Sequence, residues 1–561
     1  MKFFLVTLLC SSLAFSQVEY PQNYFRSPLD IELIPSGTFG ELRTNHFHAG
    51  LDIKTQQREG LNVYAAAEGY VSRIKVSHYG YGKVIFITHP NGYTTVYGHL
   101  SSYAPIIEAY VKAQQYKDES YEVEIFPAVD ELKIKPNEII AYSGNTGGSG
   151  GPHLHFEVRD QQERTLNPML FGFKIQDKKP PFVSHVYAYT QNDSSLVNGK
   201  RGRIELSLIP NKKLDYATES IDAYGITGFG VVSYDQQDLA VNQNGINGLE
   251  TFYNGNKKFE MDFNRFSFSE TRHINRFLDY EQWKSTKRRI QKLFVEPGNV
   301  LSLYSNLETD GYVTVQDSTS SVYKIRIKDY HGNDAWVTIP INGKKTVKPI
   351  ENSDTSKKTY IFADQPTNLN ENNVNVYFPS HSFYEDSWID FKVSNDTLYL
   401  HKDLIPLQKN VNIKFDVSKY KDAEKNKLYI AELIGYKKYP SYLNTKRDGN
   451  VLTANSNALG TYTVVMDTKG PRIAASNFQD GKWLSNFRYL KFKITDDLSG
   501  ISNFRGTING KWILLEYEYK TNTLTFDFND NIVNDSKNEL KIIATDNVGN
   551  STTFEATFFR K

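Results

Sequence analysis

The chain has 561 residues and a formal net charge of +1, with 65 Lys plus Arg against 64 Asp plus Glu. That balance gives no electrostatic reason to pair it with nucleic acid or an anionic membrane. Its length exceeds what one hydrophobic core supports and predicts about three to five domains.

The first residues are Lys2, an apolar run from Phe3 to Phe15, and Ala14-Phe15-Ser16, which has the small-x-small form of a signal peptidase site. Residues 1–16 are therefore expected to be a signal peptide, leaving Gln17 first. The run is too short for a permanent anchor, and no later stretch reaches the roughly 18 apolar residues that a spanning helix needs. An exported protein of the periplasm, cell envelope or extracellular space follows. Cys10 is the one cysteine, and Leu9 before it departs from the small residue that precedes a lipidated cysteine. Loss of the signal peptide would leave neither disulfides nor thiolate ligands.

Seven of the twelve histidines (46, 48, 78, 89, 99, 153 and 155) fall between residues 46 and 155. His48 and Asp52 are four apart, and Gly50 between them lets the backbone bend or approach another group closely. Val63–Ala67, Tyr70–Val76, Lys83–Thr88 and Tyr93–Tyr97 read as short strands of an antiparallel sheet. His99 follows the last of them. Residues 102–133 then mix a helix-compatible stretch, Ala104–Gln115, with an acidic one, Tyr121–Leu132; Pro105 stands where a first helical turn tolerates it. Five glycines crowd residues 144–151 but lack the Gly-Lys-Ser/Thr ending of a phosphate loop, so a tight turn forming a groove wall is expected. In the strand-like His153-Leu-His155-Phe-Glu157, both histidines point to one side. A catalytic zinc takes three protein ligands and keeps a fourth position for water, and His48, Asp52 and His155 are candidates. Of the pair, one histidine can bind metal while the other handles protons. The helical H-E-x-x-H signature is absent, so a general base must come from elsewhere.

Asn45-His-Phe-His48-Ala-Gly-Leu-Asp52, Tyr97-Gly-His99-Leu and Gly151-Pro-His153-Leu-His155-Phe-Glu157 resemble, in order, the motifs of the lysostaphin-type (LytM) zinc metallopeptidases. Asn62–Val71 and Ser143–Gly151 resemble that family's core strands and glycine loop, and the likeness covers about residues 36–170. The resemblance implies His48, Asp52 and His155 as zinc ligands, and His99 and His153 as catalytic histidines that move protons and stabilise an oxyanion. It further implies a zinc endopeptidase cutting the peptide crosslinks of peptidoglycan. The alternatives are a non-enzymatic wall-binding or regulatory protein of the same fold, and a zinc protease acting on an extracellular protein. His46 is read as a residue beside the ligands or on the surface, His78 and His89 as loop or strand-end residues, and Glu157 as either orienting a ligand or exposed. Residues 103–133 are an insertion relative to the family and are expected at the groove edge.

Asn167-Pro168 ends this domain, and beyond Lys178-Lys-Pro-Pro181 the chain reads as an all-β tail with one helix, Tyr280–Leu293. The fold class is thus mainly β, a peptidase domain (17–175) followed by β-sandwiches at about 182–348, 358–465 and 468–561. Hairpins at Asp329-x-x-Gly-Asn333 and Asp546-x-x-Gly-Asn550 resemble the closing strands of bacterial immunoglobulin-like modules, as Ile494–Ile501 resembles an earlier turn. One carboxylate per turn is too few for calcium, so turn chemistry accounts for both aspartates. These domains are expected to position the catalytic domain, bind the cell wall or a protein partner, or hold the enzyme inactive.

Overall fold

The computed structural model describes residues 20–211, 215–346, 356 and 358–561; the expected signal peptide and Cys10 lie outside the described residues. The fold is mainly β, as two-residue apolar alternation dictates. In chain order the first domain comprises β1 (Pro35–Gly37), β2 (Leu51–Lys54), β3 (Asn62–Tyr64), β4 (Gly69–Val76), β5 (Lys83–Thr88), β6 (Thr94–Leu100), β7 (Ser102–Tyr103), α1 (Pro105–Asp118), β8 (Val123–Ile125), β9 (Lys133–Ile134), β10 (Ile139–Tyr142), β11 (His153–Arg159) and β12 (Thr165–Leu166). Its main sheet runs β1-β2-β11-β6-β5-β4-β8, and a small sheet runs β3-β10-β7. Val71, Ile85, Ile87, Tyr97, Leu154 and Phe156 of the first join Val63 and Ile140 of the second in one core. β6 and all but the first residue of β11 are buried. These central strands carry the histidines.

The strand expected at Val63–Ala67 stops at Tyr64, because the Ala65 N–H leaves the ladder to bond Glu138 O and the Ala66 N–H bonds the Tyr97 hydroxyl. Helix α1 outruns its expected end by one turn and closes on Glu119 in a left-handed conformation. It buries Ile107 and Val111 on the first core.

Strands between Phe182 and Gly343 form a thirteen-stranded hydrogen-bonded set. Its core also takes in Phe39, Leu42, Phe47 and Ala49 from the first domain, and β12 pairs with Arg265–Phe266 across the boundary. The helix expected over Tyr280–Leu293 is a correction. It spans Tyr280–Thr286, capped by the Asp279 carboxylate, and ends where Lys287 turns left-handed; Gln291–Lys292 then pairs with Gly230–Val231 as a strand. Residues 359–466 include two five-stranded sheets around a third core, and residues 472–559 form a four- and a five-stranded sheet around a fourth.

The last domain docks back onto the first. Leu514 is buried in the first core, Trp512 packs edge-on to Tyr116 of α1, and the Asp530 carboxylate accepts from Lys112 and from Tyr116. Lys83, buried beside Ser101 O, pairs with Glu516 at 3.0 Å. The insertion is therefore the seat of the last domain.

Candidate metal centre

β2 and β11 are antiparallel neighbours with Asp52 directly across from His155, which in turn faces Gly98 of β6. Gly50 allows that closeness, since a Cβ there would stand 2.2 Å from Phe156 O. Strand alternation sends His153 and His155 to the same side. His155 Nδ1 lies 2.8 Å and His48 Nε2 3.0 Å from Asp52 Oδ1, with 3.1 Å between the two ring nitrogens. His153 Nε2 is 3.4 Å from the same oxygen. His48, Asp52 and His155 are all buried.

The other ring nitrogens decide which atoms face inward. Thr38 O, a carbonyl, can only accept, so His48 Nδ1 donates to it at 2.8 Å and Nε2 is left as a lone pair in the neutral ring. His155 Nε2 donates to Glu157 Oε1 at 2.9 Å, which leaves its Nδ1 bare. With both rings neutral, two imidazole lone pairs and a carboxylate oxygen converge there. Such a set can hold a cation, and two nitrogens with one oxygen fit zinc.

Without a cation, the carboxylates favour a proton on His155 in its place. Burial opposes protonation of His155, but its bonds to Asp52 and Glu157 push it up to about 9. Burial likewise opposes ionisation of Asp52, yet His48 and the bonds from three imidazoles hold it well below the usual carboxylate range. Glu157 is fully buried and still drawn down to about 2 by Arg159 and His155. Arg159 Nε donates to Glu157 Oε2 at 2.7 Å and the Tyr81 hydroxyl to Oε1 at 2.5 Å. On the far side, Arg43 Nη2 donates to Asp52 Oδ2 at 3.1 Å.

His99 and His153 stand beside this group with ring centres 4.7 Å apart. His99 has φ +59°, a left-handed conformation uncommon for a residue with a side chain. Its Nδ1 donates to Thr146 O at 2.8 Å, so Nε2 is a lone pair; burial and the neighbouring His155 and His153 hold the ring down to about 3. His153 Nδ1 donates to Gly151 O at 2.8 Å and lies 3.1 Å from Ser149 Oγ. Both rings therefore hang from the glycine loop. Gly147, at φ +68°, lets that loop press on the Gly80–Gly82 turn, where a Cβ would meet Gly82 N at 2.3 Å. The last domain holds the loop from outside: Lys520 Nζ donates to Asn145 O, to Gly147 O at 3.2 Å and to Ser149 O at 3.4 Å, and Tyr519 bonds Gly147 O.

All five expected site residues are brought together. His46 is exposed and bonds Thr44 O; His78 stacks on Tyr121 at 4.9 Å; His89 is buried between Glu68 O and Thr95 Oγ1. Glu157 takes the orienting arrangement of its two readings. Sequence reasoning missed Arg43, Tyr81, Arg159 and Lys520. Only Arg159 carried a signal, sharing a strand face with His155 and Glu157.

Residues 46–116 match the model of Peptidase family M23, and residues 358–467 that of the Zu5-like domain. The chain is 29% identical over 190 residues to the DD-carboxypeptidase/endopeptidase Mpg of Neisseria meningitidis serogroup B, covering 34% of this chain and 35% of that protein. It is 35% identical over 122 residues to an uncharacterized metalloprotease of Haemophilus influenzae, covering 22% and 20%. The aligned part thus spans about a third or less of the length of these relatives. Among solved structures, the catalytic domain of the antimicrobial peptidase lysostaphin from Staphylococcus simulans matches at 24% identity and TM-score 0.19, covering 25% of this chain and 91% of that one.

Proposed function

From an N-terminal domain of the M23 peptidase family, we propose that this protein is a zinc endopeptidase hydrolysing amide bonds in peptidoglycan peptide crosslinks, exported by the signal peptide expected at residues 1–16. One observation carries the reading: His48 Nε2, His155 Nδ1 and Asp52 Oδ1 converge within 3.1 Å, with the outward nitrogen of each ring already committed to another acceptor. His48, Asp52 and His155 would hold zinc. Zinc bound there supplies a water of lowered pKa and polarises a scissile carbonyl. His99 and His153 each turn an Nε2 away from a fixed Nδ1–H, so either could take a proton from an attacking water. The ring that gains the proton becomes a donor, able to stabilise an oxyanion and then protonate the leaving amine. The bonds from Thr146 O and Gly151 O fix both rings in that orientation beforehand. The last domain, closing on the Asp546–Asn550 hairpin, reads as immunoglobulin-like, and the three β domains are proposed to position the catalytic domain on the wall.

The test is zinc content and muropeptide release by residues 17–561 beside His155→Ala. Stoichiometric zinc, with release lost in the variant, is expected. Zinc without release from any wall type would move the reading to a protein substrate or a regulatory role, and folded protein without zinc would overturn it.

A further inference from the structure

A second convergence of charged groups lies at the junction of the first two domains, away from the histidines. Asp177 belongs to the connecting segment, Asp235 follows the strand Ile221–Tyr234, and Asp329 opens the Asp-x-x-Gly-Asn hairpin. The Asp177 side chain is fully buried, and Asp235 and Asp329 are 2% and 4% exposed. Asp177, Asp329 and His331 bring ligand atoms within 4.8 Å of one another, with His331 Nδ1 3.8 Å from Asp177 Oδ2 at the more open edge. Among the described residues, no lysine or arginine pairs with any of the three carboxylates.

What each oxygen bonds shows where the gap lies. Asp177 Oδ1 accepts from the Lys179 N–H, Asp235 Oδ2 from Gln237 Nε2, and both oxygens of Asp329 from Asn333. Asp177 Oδ2 and Asp235 Oδ1 are buried with no donor at all. Burial, then Asp177 and Asp329, push Asp235 up to about 8, and burial, then Asp329 and Asp238, push Asp177 up to about 6. Asp235 also lines, with His331, Gln237, Asn167 and Asn247, a cavity of about 30 Å³ between the two domains. That is room for about two waters beside Asp235 and His331.

The chain contains an internal comparison. At the last junction Asp467 Oδ1 accepts from the Lys469 N–H, as Asp177 does from Lys179. Asp546 accepts from the N–H and Nδ2 of Asn550, as Asp329 does from Asn333. Asn333 and Asn550 each also donate to the main-chain oxygen of the linker aspartate. At that second junction Asp467 Oδ2 is filled by the N–H and hydroxyl of Ser499. The first junction repeats the frame without those donors.

We propose that Asp177, Asp235 and Asp329 form a binding site for a hard divalent cation of the calcium class, with His331 at its rim, that ties the catalytic domain to the domain behind it. A cation there satisfies both donorless oxygens and removes the repulsion among three buried carboxylates. The sequence hid it, because each hairpin shows one acid while the others lie 152 and 94 residues earlier, counting from Asp329 to Asp177 and to Asp235.

The test is a calorimetric titration of CaCl2 into residues 17–561 stripped on chelating resin, with melting followed in parallel. Asp52→Asn and Asp235→Asn are run beside it. One calcium per chain is expected for wild type and for Asp52→Asn, with Tm raised by roughly 3 °C or more at a hundredfold excess over Kd. Asp235→Asn should bind at least tenfold more weakly. Its amide can donate to Asp177 Oδ2, so its calcium-free Tm should equal or exceed that of wild type. Absence of calcium binding by folded wild type would overturn the site and leave a proton shared by the acids. Binding retained in Asp235→Asn would overturn the assignment, and binding lost only in Asp52→Asn would place the calcium at the histidine centre instead.

Discussion

Glu157 shows how much one residue does in the proposed zinc pocket. Its carboxylate fixes the tautomer that bares His155 Nδ1, and Arg159 keeps it ionised. Glu157→Gln keeps the shape but loses the charge, and zinc affinity should fall roughly ten- to a hundredfold in a chelator competition; equal affinity would make the contact incidental. His89 makes a separate, metal-independent prediction. Burial holds it down to about 4, against about 6.5 for an unfolded histidine. The unfolded chain therefore binds more protons between those values, so stability is full above about pH 6.5 and declines by about 3 kcal/mol as pH falls through 4. The calorimetric transition that zinc shifts reports this domain, and its acid decline should be shallower in His89→Gln; parallel profiles would clear His89. The five histidine and aspartate positions were legible because motif spacing and strand alternation are written in sequence. The groups that orient them are main-chain carbonyls and residues from other strands, which no local pattern records.

At the scale of elements, strands were read nearly in place, since alternation with glycine turns is a local signal. The failed helix at Tyr280–Leu293 has a local cause too, a left-handed Lys287 that propensity does not mark. The insertion could be read as a helix but not as a seat, because its partners Trp512 and Asp530 lie about four hundred residues away. That seat has a consequence for the glycine loop. Lys520 gathers the loop carbonyls of Asn145, Gly147 and Ser149, and the same loop fixes His99 through Thr146 O and His153 through Gly151 O. Lys520→Met should lower kcat of the proposed hydrolysis by roughly tenfold or more through misplacement of both rings. Zinc content should stay intact and Lys520→Arg should recover part of the loss. A faster variant would instead mean that the last domain restrains the site.

Across the whole molecule, the first domain does not end where its sheet ends. Phe39, Leu42 and Phe47 precede the proposed metal ligand His48 in sequence but lie in the core of the next domain, with Phe39 5.0 Å from Phe266 and Phe47 5.8 Å from Phe263 between ring centres. Cutting after residue 175 would bare all three and remove the strand that pairs with β12. At about 1.5–3 kcal/mol for each large apolar side chain, the loss is roughly 5–9 kcal/mol, which rivals the 5–15 kcal/mol that holds a domain together. A chain ending at 175 should therefore be poorly soluble, bind a hydrophobic dye and hold substoichiometric zinc, because the segment bearing His48 loses its backing. A chain ending at 346 keeps those contacts and should melt cooperatively with one zinc bound. Dye binding, zinc stoichiometry and calorimetry on the two truncations decide the matter: a soluble, zinc-loaded 17–175 fragment would show that the shared core is dispensable, and the second domain would then be a neighbour rather than a part of the catalytic unit.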